Sequence, residues 1–158
     1  MDATADELAG VVDLFGGLTR PELERALSEA AFRADGQSVD ESALETAIDD
    51  ALESFALVRY ERPHQDAQPL LVAGPTAFPS VPTHAEDVPH ILDVDPRDPD
   101  RDALGETAHK QFVEQLEAAI DAGDDDRIDH LLDVSYDLEA WAPIDLTAER
   151  NRLEAAIA

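Results

Sequence analysis

The chain has 158 residues, 44% hydrophobic and only 5% aromatic, with 37 acidic against 11 basic side chains and a formal net charge of −26. Its length suits one compact domain or two small units, and its apolar content excludes a compositionally disordered chain despite the charge. No run approaches the roughly 18 apolar residues of a membrane span, and the absence of cysteine excludes disulfides, thiolate zinc sites and cysteine nucleophiles.

The chain begins Met1-Asp2-Ala3-Thr4-Ala5-Asp6-Glu7, acidic rather than basic and without the apolar stretch of a signal peptide, which predicts a cytoplasmic protein. Thr4 and Glu7 form a capping box ahead of a first helix whose apolar face is Leu8, Val11, Val12 and Phe15. Gly16-Gly17 ends that helix, because a left-handed terminal residue is easiest for glycine. Thr19 and Glu22 make a second capping box, Pro21 sits in the first turn where its missing N–H costs nothing, and Leu18 with Leu23 fits a hydrophobic staple. Leu23, Ala26, Leu27, Ala30 and Ala31 line that second helix, which Asp35-Gly36 stops. A third helix begins near Ser38 or Asp40, with Leu44, Ile48, Ala51, Leu52 and Phe55 as its stripe. Its charged positions are all acidic: Asp40, Glu41, Glu45, Asp49, Asp50 and Glu53.

The period then changes. Leu57-Val58-Arg59-Tyr60 reads as a strand, residues 63–69 as a turn-rich connection, and Leu70-Leu71-Val72-Ala73 as a second strand closed by Gly74-Pro75. Three helices followed by a hairpin is the element order of a winged-helix unit, placed at 1–74. Residues 75–101 carry Pro75, Pro79, Pro82, Pro89, Pro96 and Pro99, which exclude regular helix through most of the stretch. Phe78, Val81, Val88, Ile91, Leu92 and Val94 are too apolar for a free linker, so an extended connector packed on the core is expected. Residues 102–158 form a helical C-terminal unit. Leu104, Ala108, Phe112, Leu116, Ala119 and Ile120 stripe one helix stopped by Gly123. Asp124-Asp125-Asp126 favours the next N-terminus, followed by Ile128, Leu131, Leu132 and Val134. Tyr136, Leu138 and Trp141 read as a packed connection, and Thr147 as the cap of a last helix with Leu153 and Ile157. The fold class is mainly α with a small β-hairpin (α+β).

Four segments carry a family resemblance: Ala51-Leu52-Glu53-Ser54-Phe55-Ala56-Leu57-Val58, Gly74-Pro75-Thr76-Ala77-Phe78-Pro79, Pro89-His90-Ile91-Leu92-Asp93-Val94 and Ser135-Tyr136-Asp137-Leu138-Glu139-Ala140-Trp141. Through them the whole chain resembles a family of uncharacterised haloarchaeal proteins known as a domain of unknown function. The resemblance implies a haloarchaeal source and no activity, cofactor or site residue.

Candidate chemistry is sparse. Asp98, Asp100 and Asp102 mimic the first positions of a calcium loop, but Ala103 and His109 stand where glycine and a bidentate glutamate are needed. His84 and His90 flank Glu86 and Asp87, a donor set for a divalent ion whose spacing matches no common motif. His109 and His130 have no evident partner. No nucleophile elbow, phosphate loop or dinucleotide fingerprint occurs. The sequence therefore nominates no catalytic, cofactor-binding or metal residues and no cofactor. Tyr60, Tyr136 and Trp141 serve either as core or as interface anchors. A winged-helix order suggests DNA binding, yet the third helix has six acids and no base, and DNA affinity comes largely from cations on phosphates. The cations near the hairpin are Arg59 and Arg62, the candidate contacts for a nucleic acid or a protein partner.

The expected function is a soluble, halophilic, cytoplasmic protein-interaction or regulatory module without enzymatic activity, with a DNA-binding regulator as the alternative. The charge itself is read as salt adaptation. Lys110 is the single lysine, and carboxylates are spread along the whole chain instead of gathering in one segment. At 1 M salt the Debye length is about 3 Å, so self-repulsion is largely screened. Dialysis from molar to about 0.1 M salt should therefore lower the melting temperature followed by circular dichroism; an unchanged melt refutes the halophilic interpretation.

Overall fold

The computed structural model describes residues 4–35, 40–61, 68–79 and 97–157. The chain divides into two compact units, Met1–Pro99 and Asp100–Ala158. Most of the proline-rich connector, residues 80–96, lies outside the described residues.

In the first unit, α1 (Ala5–Phe15), α2 (Arg20–Asp35) and α3 (Glu41–Glu53) precede β1 (Leu57–Tyr60) and β2 (Leu70–Ala73). The hairpin is antiparallel, with Leu57 opposite Ala73 and Tyr60 opposite Leu70. The other edge of β2 is also used. Leu71 exchanges two backbone hydrogen bonds with Leu18, of 2.6 and 3.0 Å, so the short link between α1 and α2 adds a single rung to the sheet. Leu8, Val11, Val12 and Phe15 of α1, Leu23, Ala26, Leu27 and Ala30 of α2, and Leu44, Ile48 and Ala51 of α3 close on Leu57 and Leu71 as one core. The helical periodicity of the sequence thus maps onto the buried faces.

Both capping boxes form. Thr4 Oγ1 accepts from the Glu7 N–H at 3.1 Å, and the Glu7 carboxylate accepts from the Thr4 N–H at 3.3 Å. Thr19 and Glu22 reciprocate in the same way at 3.3 and 2.9 Å. Helix α1 ends at Gly16 with φ +79°, a conformation in which a β-carbon is strained. The chain after the proline-rich stretch returns to this corner: a β-carbon on Gly16 would stand 1.7 Å from the Arg97 carbonyl oxygen. The Arg97 N–H donates to the Phe15 carbonyl at 2.7 Å. Its guanidinium donates to the Gly17 carbonyl at 3.1 Å and to both Glu22 carboxylate oxygens at 2.6 and 3.1 Å.

Phe55 differs from the expected helical stripe. Helix α3 stops at Glu53, and Phe55 adopts φ +64° while fully buried. The Ala56 N–H folds back to the Ala51 carbonyl at 2.9 Å, which satisfies one of the helix's terminal acceptors. Gly74 packs so closely on this turn that a β-carbon there would lie 2.2 Å from the Phe55 carbonyl oxygen.

The second unit is three helices, α4 (Arg101–Ala122), α5 (Asp125–Trp141) and α6 (Thr147–Ile157), each packed on the other two. Asp100 and Asp124 cap α4 and α5, accepting from Ala103 and Arg127 N–H groups at 3.2 and 3.1 Å. Leu104, Ala108, Phe112 and Leu116 meet Ile128, Leu131, Val134, Leu138 and Leu153 in the interior. Two local expectations are corrected. Residues 136–141 are not a connection, because α5 runs through them to Trp141. Leu138 is buried on the Leu131–Val134 face, whereas Tyr136 falls off that stripe and is 60% exposed. Thr147 is not the cap of α6 but its first residue; the Asp145 carboxylate accepts from the Thr147 N–H at 3.0 Å and from its hydroxyl at 2.6 Å.

The half-buried Glu22–Arg97 pair yields a pH prediction. Burial pushes the Glu22 carboxyl up, but hydrogen bonds from Arg97 and Thr19 outweigh that and hold it below its ordinary 4.5. A depressed folded-state value means stabilisation that is complete above the unfolded value and lost as pH falls through the folded one. The stability gap between wild type and Glu22→Gln should thus be full at neutral pH and shrink below about pH 4.5, read as the difference of two melting curves. A gap independent of pH contradicts the pair's charge-assisted role. Separately, Gly16→Ala should cost at least about 1 kcal/mol from the left-handed backbone alone, measured by denaturant unfolding.

Candidate functional site: a groove beside the hairpin

Arg59 is the one exposed residue of β1, whose other three positions are buried, and it stands in register with Leu71. Its Nε lies 3.7 Å from Glu61 Oε1, both side chains being more than half exposed. Such exposed pairs contribute little to stability. Arg62, the other sequence candidate, lies outside the described residues.

The structure adds Arg20, which sequence reasoning missed. Arg20 opens α2, where a cation opposes the helix dipole. That unfavourable placement was the available signal that its partner lies elsewhere. The guanidinium reaches α3, donating to Asp49 Oδ1 at 2.6 Å and to the Glu45 carbonyl at 3.2 Å, with Glu24 Oε1 3.9 Å from its Nε. Arg20 and Arg59 line a groove of about 220 Å³ with Leu52, Gln68, Pro69 and Leu71. Its described lining holds two guanidiniums, one amide and an apolar floor, with no carboxylate.

Next to it the chemistry reverses. Asp40, the N-cap of α3, and Glu41, Glu45, Asp49, Asp50 and Glu53 on the helix are all exposed. A second hollow of about 350 Å³, between α2 and the start of α3, is lined by Glu24, Glu29 and Glu41 around Arg25, with Pro21, Ser28 and Leu44. The hairpin groove therefore interrupts the acidic coat. Its described lining offers hydrogen-bond donors and apolar surface, groups suited to holding a ligand.

The remaining sequence candidates are placed as follows. Asp100, the middle residue of the calcium-like Asp98, Asp100 and Asp102 spacing, uses its carboxylate to cap α4. Among the described residues no group of three or more His, Asp or Glu side chains is arranged to hold a metal ion. His84, Glu86, Asp87 and His90 lie outside the described residues. His109, without an evident partner in the sequence, has one in α6: its Nε2 stands 2.6 Å from Glu149 Oε1. Tyr60 is buried, and the Arg101 guanidinium lies over Trp141, 4.6 Å from the ring centroid. Arg150 joins α5 and α6, donating to Glu139 Oε1 at 2.8 Å and lying 4.4 Å over the Tyr136 ring. The hydrogen bonds from Arg150 and from the Leu146 N–H hold the Glu139 carboxyl below its ordinary range, and Glu139 in turn raises Arg150. This knot is consumed by structure.

No helix among the described residues is long and apolar enough to cross a membrane. Residues 6–158 match the model of a family described as a family of unknown function (DUF7109). No curated protein and no solved structure matches the chain.

Proposed function

We propose that this chain, which belongs to the family of unknown function DUF7109, is a non-enzymatic interaction or regulatory module of a salt-rich cytoplasm, engaging a protein partner at the hairpin groove. The observation that carries this reading is the contrast across one small unit. The exposed face of α3 bears six acids, whereas the adjoining groove presents Arg20, Arg59 and Gln68 over Leu52, Pro69 and Leu71. Arginine is among the residues enriched where protein partners anchor. The lone lysine among 11 basic residues supports the salt-adapted setting, since arginine keeps its planar, multidentate contacts where a point charge is screened.

A second reading, a DNA-binding regulator, is favoured by the Leu18–Leu71 rung, which sets the link between α1 and α2 beside β2 as a winged-helix order requires. It would have to use the hairpin arginines, because α3 would turn carboxylates toward phosphates.

Immobilised protein in molar potassium chloride should retain a defined partner that Arg59→Glu loses by about tenfold in affinity. Equal capture by both proteins removes the groove from the function. Labelled genomic duplexes titrated over a salt series should show no specific binding; affinity whose salt slope falls on Arg59→Ala would establish the nucleic-acid reading instead.

A further inference from the structure

The outer face of α2 complements itself. Pro21, Arg25, Ser28 and Phe32 are all exposed, Phe32 at 64%. At 3.6 residues per turn the four fall within about 60° of one another, on the side of the helix away from the buried Leu23, Ala26, Leu27 and Ala30. Glu29 flanks this stripe and is half-buried. Arg25 and Glu29 stand one turn apart, yet neither side chain is in an ion pair or hydrogen bond. With the cation on the N-terminal side, a spacing of four is the weaker orientation for a pair within one helix. Each other arginine whose side chain is described holds an acid, an amide or a ring. Among the described side chains Arg25 is therefore the arginine left single, in a chain where acids exceed bases 37 to 11.

We propose that this stripe seats a second copy of the chain, with α2 lying antiparallel on the partner's α2 about a two-fold axis. Positions 21, 25, 28 and 32 have the same spacing read in either direction. A two-fold passing between Ala26 and Leu27 thus sets Pro21 on the partner's Phe32 and Arg25 beside the partner's Ser28. The same rotation returns each flank of the helix to its own side. Arg25 and Glu29 lean to one flank, so Glu29 meets the partner's Arg25 with an axial offset of about 1.5 Å, one residue's rise. Charges that are single in one copy are matched in two, and both Phe32 rings are covered. Ser28, small and central, lets the axes approach to the lower end of the roughly 8–10 Å of packed helices. The contact is one helix of 16 residues, about 24 Å long, at the small end of specific interfaces. The dimer therefore forms at high protein concentration. It is favoured by molar salt, where a Debye length of about 3 Å screens the repulsion between two chains of charge −26 and leaves contact-range pairs. None of the stripe lines the hairpin groove, so this inference stands apart from the reading of that groove.

Sedimentation equilibrium of the full chain in molar potassium chloride, at protein concentrations up to about 1 mM, tests this. Wild type should show a monomer–dimer equilibrium. Arg25→Glu and Glu29→Arg should each weaken it at least about tenfold, because each sets like charges across the axis. An equimolar mixture of the two variants should dimerise again, since every pair across the axis is then of opposite sign. Phe32→Ser should weaken the wild-type dimer without altering any charge. The three positions lie off the buried face of α2, so circular dichroism of each variant should match wild type. A monomer at every concentration, a dimer indifferent to Arg25→Glu, or a mixture that stays monomeric each overturns the proposal. A dimer lost on Arg59→Glu but kept on Arg25→Glu places the contact at the hairpin groove and also overturns it.

Discussion

The bidentate contact between Arg97 and Glu22 is the constraint on which the first unit depends. Glu22 closes the capping box with Thr19 and at the same time accepts the Arg97 fork. Arg97 in turn satisfies the carbonyls of Phe15 and Gly17, at the end of α1. One residue later Leu18 bonds β2. Helix end, helix start, sheet edge and the chain returning from the proline-rich stretch therefore meet within a few residues. With both side chains only about a quarter exposed, the pair is screened less by salt than the surface pairs are.

In the proposed salt-rich setting, the molecule's net charge and the proposed groove are separate matters. A coat of carboxylates keeps the chain hydrated and dispersed, and at molar salt it projects almost no field beyond contact range. What remains is local: which groups line a depression and how they are held. Arg20 is held by α3 and Arg59 by the pleat of β1, so the groove's two cations are positioned by different elements. The proposed function rests on this positioning rather than on net charge.

Much of the fold was legible because local signals are strong where backbone groups must be satisfied. Both capping boxes, the 3.6-residue stripes of α1 to α4, and the bounds of β1 and β2 follow from residue types at fixed spacing. The failures share a different cause. Phe55 looks like one more stripe residue, and only contacts from Gly74 and Thr76 place it in a left-handed turn. Thr147 and Asp145 are both good capping residues, and spacing did not rank them. Arg20 and Arg97 act on residues 29 and 75 positions away, which no local window reports. Arg59 was found because it is a cation beside the hairpin in a chain with few of them. Its neighbours in the groove were not, since a depression formed by α2, α3 and the hairpin is a tertiary property.

The turn at Phe55 bears on how the first unit folds. A left-handed backbone at a bulky residue is unfavourable by itself. Here it is sustained by Thr76, whose N–H and hydroxyl donate to the carbonyls of Phe55 and Ser54 at 3.2 and 2.9 Å, and by the Gly74 N–H on Ala56 at 2.8 Å. Those partners arrive only when β2 has paired with β1. The left-handed turn after α3 is thus tied to the hairpin by contacts that the helix alone does not supply. The loop that brings Thr76 to Ser54 spans 22 positions, so the partners that sustain this turn carry a loop-closure cost that the helix contacts do not.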